Sequence, residues 1–234
     1  VEVDRDVEDF KNFKVPGLEN GEEYDYGMYQ KTIDFRFTDD KTYKGFEALE
    51  RMLQKNPHIH TFELYYFTLS NEEIPRFVSG LKNQRTIKTL RITEIKFAGD
   101  FYKAVAEILS TNTWIKKLTL GELYDSSSSL AVLSSALKVN CNVNTIILNC
   151  RGTTDIPSIW AALLSNKSVQ SLTLINVSLK ISSPGDGDSL TTFLAHNHTL
   201  KVLDLRCIKF EHGGDIEPLA RGLRNNTTLE KLFL

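Results

Sequence analysis

Five histidines and three cysteines are the residues of this chain best suited to bind a metal or act as nucleophiles. His58 and His60 are two residues apart, as are His196 and His198, a spacing that places both rings on one face of a strand. Both pairs straddle a turn into a predicted strand, and no Cys or carboxylate cluster accompanies them as a metal site would need. We therefore predict ordinary turn histidines and no metal site.

Other patterns with catalytic potential are also scarce. No segment fits the Gly-x-x-x-x-Gly-Lys-Ser/Thr phosphate loop, and SPGDGDS (183–189) lacks the length and distal Glu of a helix-loop-helix calcium site. Cys150 and Cys207 occupy equivalent strand exits, but no histidine at a matching position suggests a nucleophile pair. We predict no enzymatic activity and no cofactor.

Composition excludes few classes of protein. The chain has 234 residues, 41% of them hydrophobic, and a formal net charge of -2, which gives no reason to expect nucleic acid or an anionic membrane as partner. No apolar run approaches the roughly 18 residues that a membrane helix needs.

The cysteines and the Asn-x-Ser/Thr sequons point to different compartments. An odd, sparse set of cysteines (Cys141, Cys150 and Cys207) fits a reducing environment, and we predict a cytoplasmic protein. Five sequons are weak evidence for secretion, because turns favour Asn, Ser and Thr in any case; they begin at Asn166, Asn176, Asn197, Asn225 and Asn226.

The helices and strands that would position any functional site recur at regular intervals along the chain. Apolar residues open the candidate strands at spacings of 28, 28, 28, 26, 31 and 29: Ile59, Ile87, Ile115, Val143, Val169, Leu200 and Leu229. A leucine stands six residues before each opener: Leu53, Leu81, Leu109, Leu137, Leu163, Leu194 and Leu223. Three residues before each opener stands an amide: Asn56, Gln84, Asn112, Asn140, Asn166, Asn197 and Asn226.

Each unit reads as one helix followed by one short strand. Apolar residues at helical spacing end at the leucine, and the amide residue after it is expected to adopt the left-handed conformation that stops a helix. The strand is apolar at positions 1, 4 and 6 counted from its opener, as in Ile87, Leu90 and Ile92. Strands joined through helices form a parallel sheet, so we predict an α/β solenoid with helices on one face only.

The segments LKNQRTIKTLRI (81–92), LSNKSVQSLTL (164–174) and LRNNTTLEKLFL (223–234) resemble the ribonuclease-inhibitor class of leucine-rich repeats. This resemblance covers roughly residues 44 to 234. It implies a curved parallel sheet on the concave face and helices on the convex face. The column that usually carries a turn-bonding Asn or Cys is different here, reading Phe67, Ile95, Leu123, Arg151, Val177 and Ile208. We therefore expect apolar packing in place of a side-chain amide ladder, a variant similar to tropomodulin repeats.

Three regions follow from the pattern. Residues 1–25 hold nine acids against Arg5, Lys11 and Lys14, and form an acidic segment that either extends as a tail or lies along the body. Residues 26–45 are predicted to be a degenerate capping repeat with a strand at Thr32 to Phe37. Residues 46–234 hold about seven repeats. Because Leu234 falls on a core position, we expect either further repeats beyond it or a partner that covers this end.

The predicted binding surface is the concave face, formed by strand positions 3, 5, 7 and 8. Its N-terminal end holds two adjacent tyrosines, a residue type enriched in interface hot spots, and its middle is apolar. The residues that we predict to contact a partner are Glu63, Tyr65, Tyr66, Arg91, Glu94, Lys117, Glu122, Ile147, Ile175, Asp204 and Arg206.

Three functions are compatible with this surface. The first is a scaffold that binds a protein partner. The second is a regulatory repeat domain of a larger protein, of the immune-receptor or actin-regulator kind. The third is stimulation of GTP hydrolysis, since one family with such repeats has that role, but no residue here matches its catalytic asparagine. The helical outer side and the rims remain alternative binding surfaces.

Overall fold

A computed structural model describes residues 32–36, 60–65, 68–69, 74–82, 84–93, 96–97, 101–121, 127–149, 156–179, 186–210 and 216–234. The strands are β1 (Thr32–Arg36), β2 (Thr61–Tyr65), β3 (Thr68–Leu69), β4 (Thr89–Thr93), β5 (Lys96–Phe97), β6 (Lys117–Leu120), β7 (Thr145–Asn149), β8 (Ser171–Leu179), β9 (Val202–Phe210) and β10 (Lys231–Phe233). The helices are α1 (Ile74–Lys82), α2 (Phe101–Thr111), α3 (Ser127–Val139), α4 (Ile156–Ser165), α5 (Asp186–His196) and α6 (Glu217–Arg224).

Eight strands form one parallel sheet whose spatial order, β1-β2-β4-β6-β7-β8-β9-β10, follows the order of the chain. The short strands β3 and β5 pair separately. Each helix packs against the next one along the chain, from α1 through α6. Every unit therefore contacts its immediate neighbours, which confirms the predicted solenoid.

The core lies between the sheet and the helices. In β4 and β7 exposure alternates along the strand, and the buried members are the predicted positions 4 and 6, such as Leu90 and Ile92. The helices bury one stripe each; α2 turns Val105, Ile108 and Leu109 inward. Trp160 and Phe193 stack between α4 and α5 with ring centroids 5.1 Å apart, so neighbouring units share large aromatic contacts.

Proline marks the start of several helices. Pro75, Pro157 and Pro218 each stand at the second residue of α1, α4 and α6. The first turn of a helix lacks an acceptor for its N–H groups, so the missing proline N–H costs nothing there, and the fixed φ suits the helix.

The amide column between helix and strand corrects one prediction. Asn176, in β8, is the one non-glycine residue with positive φ within the described ranges, so the helix-ending amides described there are not left-handed. They act through their side chains instead. The amide nitrogen donates to a carbonyl of the preceding unit, at Asn112 to Leu81, Asn140 to Leu109, Asn166 to Leu137, Asn197 to Leu163 and Asn226 to Leu194.

The oxygens of the same amides complete the arrangement. Asn140 Oδ1 accepts from the backbone N–H groups of Asn142 (2.9 Å) and Val143 (2.8 Å), which fixes the turn into β7. A side-chain amide ladder therefore exists in this solenoid in the column after the helix, a column for which we had not predicted one. The other column, which follows the strand and usually carries a turn-bonding Asn or Cys, has none in this sequence. Four of its residues, Phe67, Ile95, Leu123 and Arg151, lie outside the described residues.

The acidic segment 1–25 and most of the predicted capping repeat 26–45 also lie outside the described residues. Within that repeat, β1 pairs in parallel with β2, with Thr32 opposite Thr61. At the other end of the sheet, Phe233 and Leu234 are exposed. None of the helices in the described ranges is long and apolar enough to span a bilayer.

Candidate protein-binding surface

The concave face is the side of the sheet opposite the helices, and its side chains form rows across the strands. The central row is position 5, where strand pairing places each residue beside the next, about 4.8 Å away. From β2 to β10 it reads Glu63, Arg91, Thr119, Ile147, Thr173, Asp204 and Phe233. Strand register thus aligns four of the predicted partner-binding residues in this row: Glu63, Arg91, Ile147 and Asp204.

An ion pair marks the N-terminal part of this row. Arg91 Nε lies 3.6 Å from Glu63 Oε1, and the Glu63 side chain is only 16% exposed. The pair joins β2 to β4 and holds a cation at the surface, where Arg91 is 36% exposed. Lys117 is half-buried in the neighbouring row, one strand further on.

A second ion pair marks the C-terminal part. Arg206 donates to Asp204 twice, from Nη2 to Oδ2 at 2.8 Å and from Nε to Oδ1 at 3.1 Å. This bidentate hydrogen bonding holds the pKa of Asp204 below its ordinary value, against a smaller opposing effect of burial. The Arg206 guanidinium also lies 4.9 Å from the centre of the Phe233 ring. Arg206 is therefore fixed by two neighbours although it is well exposed.

Between the two ion pairs lies a region without charge, which we call the neutral window. It consists of the concave-facing residues of β7 and β8, all of them partly exposed: Thr145, Ile147, Asn149, Ser171, Thr173 and Ile175. Asn176 Nδ2 donates to Asn149 Oδ1 at 2.9 Å and ties the two strands together. An apolar and hydroxyl-bearing centre between charged edges matches the usual layout of a protein interface.

Two threonines on β4 and β6, the two strands that precede the neutral window in the sheet, have unmet hydrogen-bonding capacity. The hydroxyls of Thr93 and Thr119 are buried and have no hydrogen-bond partner within the described part of the chain. A Cβ at Gly121 would lie 2.7 Å from Thr93 Cβ, so only glycine fits beside Thr93 at this position.

The N-terminal end of the predicted surface is described only in part. Tyr65 ends β2, but its side chain, together with Tyr66, Glu94 and Glu122, lies outside the described residues. The tyrosine pair therefore stays a prediction.

A further exposed aromatic was missed by the sequence reasoning. Trp114 is 41% exposed in the turn before β6, and Lys88 Nζ lies 4.5 Å from its ring centre. The signal was available, because the residue before the strand opener is polar in the other described units: Thr86, Asn142, Ser168, Thr199 and Thr228.

The turn histidines have structural partners. His60 Nδ1 donates to the carbonyl of Thr86 at 3.0 Å, and His196 Nδ1 donates to the carbonyl of Thr192 at 3.0 Å. A carbonyl can only accept, so these rings carry their proton on Nδ1. Over the described ranges, no group of three or more His, Cys, Asp or Glu residues could hold a metal ion.

Comparisons with known proteins agree with this architecture. No protein-family model matches the chain. The human NACHT, LRR and PYD domains-containing protein 5 is 28% identical over 139 residues, which make up 58% of this chain. The chain spans 12% of the length of that curated relative.

Two solved structures are similar. The tropomodulin C-terminal domain from Caenorhabditis elegans superposes with a TM-score of 0.50 at 14% identity, over 66% of this chain and 93% of that one. Leiomodin-1 actin-binding site 2 gives a TM-score of 0.40 at 20% identity, over 80% of this chain and 91% of that one. None of these proteins is named for a catalytic activity. The repeat columns, the ordered parallel sheet and the similar fold of the tropomodulin domain together show that this chain has a leucine-rich-repeat fold.

Proposed function

We propose that this chain is a scaffold that binds a protein partner on its concave face. The neutral window carries the proposal: partly exposed residues without charge span two neighbouring strands, with ion pairs beyond them on either side. The contact residues that we propose are Arg91, Lys117, Ile147, Ile175 and Asp204, with Arg206 at the edge. Glu63 acts by fixing Arg91.

Pre-organisation supports this role. A side chain already held in place loses less conformational entropy on binding than a free one. Arg206 is held by Asp204 and Phe233, and Arg91 is held by Glu63. The charged groups at the two edges are therefore suited to orient a partner. The neutral window supplies the surface from which water can be excluded on binding.

Matched substitutions on the two faces test the proposal. Ile147→Glu and Thr173→Glu place a charge in the neutral window, whereas Ala131→Glu and Ala161→Glu place the same charge on exposed positions of α3 and α4. A two-hybrid library screen with the wild-type chain would identify interacting clones, each of which is then retested against all four variants.

We expect the two concave-face variants to weaken binding by about 30-fold, as for a central interface residue, and the two helical variants to bind as wild type. Interactions that survive both concave-face substitutions and fail with the helical ones would place the partner on the convex face and contradict the proposal.

A second proposal is that the repeats are a regulatory domain of a larger protein. Its support is the human relative, whose name includes NACHT and PYD domains beside the repeats and of which this chain matches 12%. Sequencing the full-length transcript is the test. A reading frame encoding a second domain is expected, and a frame that encodes the repeats alone would contradict this proposal.

We also propose a cytoplasmic location. Three sequons support it, because Asn166, Asn197 and Asn226 use their side-chain nitrogens in the amide ladder. A glycan on that nitrogen is incompatible with the buried hydrogen bond. Imaging of a tagged full-length protein in its native cells tests the location; staining confined to the secretory pathway would contradict it.

A further inference from the structure

The edge of the sheet where strands begin carries a group of cations around Trp114. Arg85, Lys88, Lys116 and Lys117 lie on two consecutive units, and the ring of Trp114 is held under Lys88. We call these five residues the Trp114 cluster. Backbone hydrogen bonding places Lys88 beside Lys116, since Lys116 N donates to Lys88 O at 2.8 Å.

Within the described residues, no ion pair neutralises the cations of this cluster. In the stretches 84–93 and 101–121 the single acid is Glu107, and its carboxylate pairs with Lys82 on the helical side. The salt bridges of the described residues include none to Arg85, Lys88, Lys116 or Lys117. Like charges at this density repel one another, so an anionic occupant is stabilised there.

Capping of the helix ends does not account for these cations. Basic residues near a helix C-terminus often compensate its unpaired carbonyls. Here the carbonyl of Leu81 accepts from Asn112 Nδ2 at 3.0 Å, and the carbonyl of Leu109 accepts from Asn140 Nδ2 at 2.6 Å. The amide ladder satisfies those carbonyls, and the lysines remain available to a ligand.

The same chain contains a segment of complementary chemistry. Residues 1–25 hold nine acids against three bases, and Phe10 and Phe13 stand just beyond the most acidic stretch. Acidic side chains match the four cations, and an aromatic side chain matches the exposed face of Trp114.

Topology places the start of β1, the first described strand after this segment, near the cluster. Because the sheet is parallel, β1 begins at the same edge as β6, and Thr32, Thr61, Thr89 and Lys117 form one row. Three strand spacings separate Thr32 from Lys117, about 14 Å. The six residues 26–31 can span about 20 Å when extended, which is enough to reach the cluster.

We propose that the Trp114 cluster is the docking site of the acidic N-terminal segment, residues 1–25, within the same chain. The segment occupies the strand-start edge and, through Lys117, borders the concave face. This internal contact does not depend on the concave face binding a partner, and each can fail without the other.

Acrylamide quenching of tryptophan fluorescence in the full chain tests the contact. Trp160 is 2% exposed, so the quenchable emission comes from Trp114. The test variant combines Asp4→Asn, Asp6→Asn, Glu8→Gln and Asp9→Asn, and the control variant combines Asp188→Asn with Glu217→Gln on exposed parts of α5 and α6.

We expect the test variant to be quenched more strongly than the wild type and the control. Losing one exposed ion pair shifts an equilibrium about two-fold, so losing four ion pairs should shift the docking equilibrium on the order of ten-fold. Salt at about 0.5 M should raise quenching in the wild type and leave the test variant unchanged. Equal quenching of all three proteins at low salt would overturn the proposal.

Carbodiimide cross-linking gives a second readout that does not depend on fluorescence. Links from Lys88, Lys116 or Lys117 to carboxylates of residues 2–9 are expected in the wild type. In the variant Lys116→Gln/Lys117→Gln, only the links to Lys88 should remain, and in reduced amount. Absence of such links, or links found solely between differently isotope-labelled copies, would overturn the internal arrangement.

Discussion

Asn166 joins two units of the solenoid through its side-chain nitrogen, which donates to the carbonyls of Leu137 and Asn140, each at 2.7 Å. Its oxygen accepts from the backbone N–H groups of Ser168 and Val169, each at 2.8 Å. One buried side chain therefore serves the end of α3, the turn after α3 and, in its own unit, the turn into β8.

Replacing this side chain is expected to be costly. Asn166→Ala removes five hydrogen bonds, those four and the one that Ser168 Oγ donates to Asn166 Oδ1 at 3.1 Å. It leaves several buried groups without partners, so we predict a loss of about 2–5 kcal/mol in the free energy of unfolding. Asn225→Ala is the control, since Asn225 is an exposed amide in an equivalent region, and it should change stability by less than about 0.5 kcal/mol. Urea denaturation measures both, and equal losses would refute a special role for the ladder.

Gly222 marks a close approach between helices. A Cβ there would lie 2.7 Å from Leu194 Cβ and 3.0 Å from the carbonyl oxygen of Thr191. Ala usually stabilises a helix interior by about 1 kcal/mol relative to Gly, but here it must push α5 and α6 apart. We predict that Gly222→Ala destabilises the fold by about 1–3 kcal/mol, whereas the exposed Arg221→Ala changes it little. Stabilisation by Gly222→Ala in thermal unfolding would show that the helices can separate freely.

The contact between Asp204 and Arg206 should make the stability of the folded solenoid depend on pH. The hydrogen bonds from Arg206 lower the folded-state pKa of Asp204 below its ordinary 3.8. The unfolded chain then takes up the proton at a higher pH than the folded chain does. The stabilisation is complete above the ordinary pKa and is lost as pH falls through the lowered one.

Carboxyl-carbon NMR titration tests this relationship. In Arg206→Ala the midpoint of Asp204 should rise toward its ordinary value. The pKa of Glu230, which a 2.7 Å hydrogen bond from Lys201 lowers, should not move and serves as an internal control. An unchanged Asp204 midpoint would assign its lowered pKa to another cause.

Glycosylation offers a separate check on the ladder. If the chain is forced through the secretory pathway with an added leader, folded molecules should carry no glycan at Asn166, Asn197 or Asn226. Their nitrogens are committed to backbone carbonyls, whereas the side chain of Asn176 is exposed. Mass spectrometry of the secreted, protease-resistant fraction measures occupancy, and a substantial glycan at Asn166 in that fraction would contradict the buried geometry.

Local pattern was enough to predict much of this fold. The strand columns place Ile87, Leu90 and Ile92 in the core, and the structure confirms all three as buried. That success follows from physics, because repeated apolar spacing leaves few ways to bury every unit.

The amide ladder shows where local pattern was insufficient. A single unit containing Asn140 suggests a helix stop, and the left-handed conformation was the wrong interpretation. The true partner, the carbonyl of Leu109, lies 31 residues earlier and becomes a neighbour only when units stack. The regular recurrence of one amide type was the available sign of contacts between units.

The candidate site was predictable to a similar extent. Strand alternation assigned Ile147, Asp204 and Arg206 to the face opposite the core, where the structure places them. The ion pair of Glu63 and Arg91 depends on register between strands, and the exposure of Trp114 depends on how the turns stack. Neither the ion pair nor the exposure of Trp114 can be predicted from the alternation of apolar and polar residues within one strand.

The central claim is that the sheet face, rather than the helical face, contacts a partner. Site-specific photo-cross-linking in the native cells tests it most directly, with the photoreactive residue placed at Ile147 or Thr173 on the neutral window and at Ala131 or Ala161 on the helices. We predict that a discrete adduct forms from the neutral window and that none forms from the helical positions. Adducts from the helical positions alone, or from no position, would contradict the claim.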